Sequence, residues 1–197
     1  GSVTGNGTIN ATGTGAITLS ADAGILDLNG AVTSNGGLIQ ASASDDLIVD
    51  AAINAGTGGI TLFNTGGSSG TNDTTVNAAL TSTNGNIQVL AANANNVNIN
   101  STVTTGGAGN VTVTAGDNIS TDPDAVITTG GGSVNFTAGD DITIDANILT
   151  VGGAASFSAG GLFTLDDSTD KISTVGSDAP VTILADDVDI GGYIFAG

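Results

Sequence analysis

The chain has 197 residues, with 19 aspartates against a single cation, Lys171, for a net charge of −18. It contains no histidine, cysteine, methionine or tryptophan, and also no arginine or glutamate. This excludes a nucleic-acid groove, which needs lysine and arginine to neutralise phosphates, and equally an imidazole base, a thiol nucleophile, or a zinc, haem or iron–sulfur centre.

No apolar run approaches the roughly 20 residues that a spanning helix needs, and no basic amphipathic helix is available, so membrane insertion is not expected. The 32 glycines would suit disorder, but 39% of the chain is hydrophobic, largely β-branched and evenly spread, which favours ordered β-structure. Helix formers are scarce, and glycine recurs every few residues.

In chain order, a partial coil around Ile9 comes first. Units then start at Ile17, Ile39, Ile60, Ile87, Val111, Val134, Ala155 and Val181, at intervals of 22, 21, 27, 24, 23, 21 and 26 residues. In the units from Ile39 and Val134 the apolar residues fall at the same offsets, +2, +4, +8, +10 and +14. Each unit holds three short alternating strands between turns rich in Gly, Asn and Asp. One such unit cannot bury its apolar face alone, whereas stacked units share a core. The pattern predicts an all-β fold, a three-faced parallel β-helix (β-solenoid) of about eight to nine coils of 21–27 residues, a rod of roughly 40 Å.

Stacking predicts columns of like residues. Phe136 should lie over Phe157, and Ile119, Ile142 and Phe163 should form another column. Inward alanines recur at Ala21, Ala43, Ala91, Ala115, Ala138, Ala159 and Ala185. Two longer units carry loops, at residues 66–75 and 166–171. No domain boundary is visible, so residues 1–197 read as one solenoid domain.

The abundant charged groups are the aspartates. One turn row holds Asp45, Asp46, Asp117, Asp140, Asp141, Asp186 and Asp187. Another holds Asp50, Asp122, Asp145 and Asp166, and the stacking puts Asp122, Asp145 and Asp166 on successive coils. Carboxylates about 5 Å apart repel unless water, N–H groups or a cation intervene. Calcium, a hard ion that takes carboxylate oxygen, is the cation they would suit, and no other cofactor is implied. The plainer reading is that these aspartates accept turn N–H bonds and keep the rod soluble.

Outward Thr, Ser, Gln and Asn form mixed rows. One runs Thr18, Gln40, Thr61, Gln88, Thr112, Asn135, Ser156 and Thr182. In another, Asn54, Leu149 and Ser173 interrupt Thr33, Thr81, Thr104 and Thr128. An ice-binding face would need a more regular threonine ladder. Polysaccharide hydrolysis could use paired aspartates, but the cations and aromatics that hold acidic sugars are missing, so no enzyme is expected. Phe63 and Leu90 fall at outward positions of adjacent coils and mark a small contact patch, unless the loop at 66–75 folds over them.

The phrases Ala138-Gly-Asp-Asp-Ile-Thr-Ile-Asp-Ala146, Val111-Thr-Val-Thr-Ala-Gly-Asp-Asn-Ile119 and Ile183-Leu-Ala-Asp-Asp-Val-Asp-Ile190 resemble the repeats of filamentous-haemagglutinin-like exoproteins. The resemblance runs from about Ile17 to Ile194. It implies a right-handed helix, export to the outside of the Gram-negative outer membrane, and a role in adhesion or contact. No ligand-binding residue of that family maps onto this chain. The expectation is a segment of a longer secreted or cell-surface protein, serving as a structural and adhesive shaft with a surface glycan or protein as ligand. The alternative is a self-assembling extracellular fibre subunit that associates end to end.

Overall fold

The structure is a computed structural model that describes residues 1–66, 72–93, 95–176 and 178–197. Within them every regular element is a strand, and the chain lays strands down on three faces in rotation. The first sheet starts at Val3–Gly5 and the second at Ile9–Ala11; each gathers nine strands among the described residues. The third starts at Ile17–Ala21 and gathers eight. All pairings are parallel, each strand bonding to its equivalents one coil away on either side. The fold is a three-sided β-solenoid of about eight coils. Among the described residues no helix is long and apolar enough to cross a membrane.

The expected coil starts are all first residues of third-sheet strands. Alternation within each short strand sends one set of side chains inward, and parallel in-register pairing stacks them on the same position of the next coil. Phe136 pairs with Phe157, their rings 5.6 Å apart at 73°. Ile119, Ile142 and Phe163 follow one another as expected. The Phe163 ring packs 5.3 Å from that of Phe157, joining two columns across the core. Six of the seven expected alanines are buried and Ala185 is partly so. Asn64 replaces the alanine in its coil. Its amide donates to the carbonyls of Asn72 and Asp73 at 2.9 and 3.2 Å and accepts from the Gly66 N–H at 2.8 Å.

The corners rest on three further stacks. Between the third and first sheets, side-chain oxygens accept backbone N–H groups from the next coil. Asp46 accepts from Asp73 at 3.0 Å, Asp73 from Asn96 at 3.2 Å, Asn96 from Asn118 at 3.1 Å and Asn118 from Asp141 at 3.0 Å. Where the second sheet ends, buried hydroxyls of Ser34, Ser82, Thr105, Thr129, Thr150 and Thr174 tie the strand to its following turn or its neighbouring coil. Beside them runs a glycine stack so close that a Cβ at Gly132 would sit 2.0 Å from the Gly109 carbonyl oxygen. Side-chain columns fill the interior, while small residues and hydroxyls let the backbone turn and give the corner carbonyls a partner.

Candidate functional site

Asp122, Asp145 and Asp166 each follow a first-sheet strand, Ile119–Thr121, Ile142–Ile144 and Leu162–Leu165 respectively. Their N–H groups bond back to the preceding coil: Asp122 to the Ile99 carbonyl, Asp145 to the Thr121 hydroxyl, Asp166 to the Ile144 carbonyl. The backbone therefore stacks all three, as the repeat predicts. The side chains then diverge. The Asp122 carboxylate turns into its own loop and accepts the Asp124 N–H at 3.0 Å. Asp145 and Asp166 instead face a cleft of about 340 Å³, with Asp167, Asp170, Asn147 and Pro123 among its walls.

Residues 166–170 build the outer wall. The Asp170 carboxylate accepts the Asp167 N–H at 2.9 Å, and the Asp170 N–H bonds to the Asp167 carbonyl at 3.0 Å. Asp167 in turn accepts from the Thr169 N–H and the Ser168 hydroxyl, both at 3.1 Å. These reciprocal bonds hold the turn closed and bury Asp170 to 4% exposure, while Asp166 and Asp167 stay exposed. Against this wall the Asp145 carboxyl stands above its ordinary value. Burial is the main cause; next come the Asp170 charge and a side-chain hydrogen bond with Asp170, then the charges of Asp166 and Asp167. Burial and the neighbouring carboxylates thus favour the protonated form of Asp145 in a negatively charged recess. Among the described residues, no group of three or more acidic side chains is arranged to hold a metal ion.

The repeat pattern singles out Asp166 but not Asp167 and Asp170, which fall in the loop at 166–171. The signal in the sequence is the density of three aspartates in five residues, Asp166, Asp167 and Asp170, directly after a first-sheet strand. In the turn row, Asp46 and Asp141 do accept N–H groups of the next coil, at 3.0 and 2.6 Å.

Phe63 and Leu90 are direct neighbours on the outer face of the third sheet, between Ser42 and Thr114, and both are half-buried. The loop whose folding over them is the alternative to a contact patch includes residues 67–71, which lie outside the described residues. The row from Thr18 to Thr182 runs in the predicted order. The second-sheet row from Thr33 to Ser173, with its interruptions, does the same.

No family model, no curated protein and no solved structure matches this chain. The likeness to filamentous-haemagglutinin-like exoproteins rests on the quoted phrases alone.

Proposed function

We propose that the chain is a structural and adhesive shaft module of a secreted or cell-surface protein, a stiff acidic rod that holds an interaction surface away from its anchor. The observation that carries this reading is the unbroken stacking. Three parallel sheets pair coil to coil along the described chain, and the interior is a set of continuous columns. Bending such a rod would stretch the coil-to-coil backbone bonds on its convex side and compress the packed columns on its concave side. A net charge of −18 on its surface opposes lateral sticking between copies. We assign it no catalysis, since one lysine, one tyrosine and five phenylalanines supply few of the cations and aromatics that would hold an acidic sugar.

Light scattering on a size-exclusion column, with negative-stain images of the same fractions, tests the reading. A monodisperse rod of 18.7 kDa is expected. Filaments with a repeat near the length of one rod would replace it by the fibre-subunit reading.

A further inference from the structure

The outer face of the second sheet changes character along the rod. Its central row is polar through Asn10, Thr33, Asn54, Thr81, Thr104 and Thr128. It then continues as Leu149, Ser173 and Phe195. Val151 and Val175 pair beside this row, and both are exposed. On its other side Lys171 pairs with Tyr193. Tyr193 and Phe195 are 57% and 51% exposed, yet their rings stack on each other, centroids 6.0 Å apart at 19°. Exposed aromatic rings already held against each other lose little freedom on binding, which is the property of interface anchors.

The acidic cleft borders this face. Asn147 lines the cleft and Leu149, two residues along the same strand, stands on the apolar row. The Tyr193 N–H donates to the Asp170 carbonyl at 2.9 Å, fixing the aromatic strand to the cleft wall. Two residues is also the spacing at which an extended chain presents successive side chains to one side.

We propose that this face docks an extended segment of a partner protein carrying a lysine or arginine two residues from an apolar side chain, the apolar group on Leu149 and Phe195 and the cation in the cleft. Charge complementarity selects this occupant. A second copy would bring another −18 to a recess that already holds Asp145, Asp166, Asp167 and Asp170. An acidic partner would meet the same repulsion. The inference does not rest on the shaft reading, since a fibre subunit would carry the same face.

Tyr193 is the only tyrosine in a chain without tryptophan, so its emission reports directly on the site. The probe is an N-acetylated, C-amidated pentapeptide, Lys-Ser-Leu-Ser-Lys, titrated at about 0.15 M salt, where long-range attraction is screened. A saturable emission change is expected, with a Kd below about 1 mM. Replacing the central leucine by serine, at equal charge, should weaken binding at least about fivefold. Phe195→Ser, and the double change Asp166→Asn with Asp167→Asn, should weaken it about tenfold. Asp22→Asn with Asp45→Asn removes the same charge far from the cleft and should change it less than twofold. Lys171→Gln, which removes a repelling cation, should tighten it. Melting curves check each variant, with Leu149→Ser as the substitute should Phe195→Ser lose the fold. Equal binding of the leucine and serine peptides, equal loss in the remote double variant, or no saturable change would each overturn the proposal. An emission change that follows protein concentration without peptide would overturn it in favour of a second copy.

Discussion

The Thr105 hydroxyl donates to the Gly109 carbonyl at 2.6 Å, closing the corner where the second sheet hands the chain to the third. Both groups are buried, and the same bond recurs from Thr129 to Gly132, Thr150 to Gly153 and Thr174 to Ala179. The corner is thus held by a repeated side-chain bond where a plain turn would leave a carbonyl facing the core.

Thr105→Val keeps the shape and removes the donor. The Gly109 carbonyl is then left buried without its partner, at a cost of about 1–3 kcal/mol. Urea unfolding should show a lower midpoint at unchanged slope. Thr105→Ser, which keeps the hydroxyl, should lose much less.

The same exchange has the opposite sign at Thr74. This residue is fully buried in a first-sheet column between Leu47 and Val97, and its hydroxyl has no hydrogen-bond partner among the described residues. Thr74→Val removes an unpaired polar group from an apolar column and should stabilise by about 1 kcal/mol. A melting temperature about 2–4 °C higher would follow for a chain of this size. A decrease would mean that the hydroxyl is bonded in solution.

These two threonines show where the sequence could be read and where it could not. Register was legible on the third sheet because each coil opens on an apolar residue with another two positions on, so Phe136 over Phe157 follows from counting. Thr105 and Thr74 are polar residues at inward positions that the shared offsets do not mark, and Thr74, read with the loop at 66–75, instead opens the first-sheet strand Thr74–Val76 because the longer loop shifts the count. Only the packed corner tells which one finds a partner. The acidic cleft divides in the same way. Stacking of Asp145 on Asp122 and of Asp166 on Asp145 is a backbone property and could be counted. The turning away of the Asp122 side chain and the burial of Asp170 depend on local turn bonds that no period encodes.

Glycine at position 132 is required by approach and not by torsion. Its missing side chain makes room for the Gly109 carbonyl of the coil below, and backbone on both sides cannot swing aside as a side chain would. Gly132→Ala should therefore cost about 3 kcal/mol or more, beyond ordinary overpacking, or prevent folding. Gly13, where a Cβ would meet nothing within 4 Å, provides the control, and Gly13→Ala should stay within about 0.5 kcal/mol of the parent. Equal effects at the two positions, measured by thermal melts, would remove the close-stacking argument.

Asp145 gives the fold a pH dependence whose sign can be worked out. Its carboxyl is raised above the ordinary 3.8, first by burial and then by Asp170, Asp166 and Asp167. A group raised on folding binds its proton more tightly in the native state, so its contribution is complete below 3.8 and is lost as pH climbs through the raised value. Above that range the ionised Asp145 faces three like charges in the cleft. Asp145→Asn keeps the size and removes the ionisation, so the variant should gain on the parent as pH rises. Melting temperatures of the two proteins, compared at pH 3, 5 and 7, should show the variant gaining on the parent by on the order of 1 °C once the pH has passed through the raised value, with no further gain above it. A constant offset across that range would show that Asp145 ionises alike in the folded and unfolded chains.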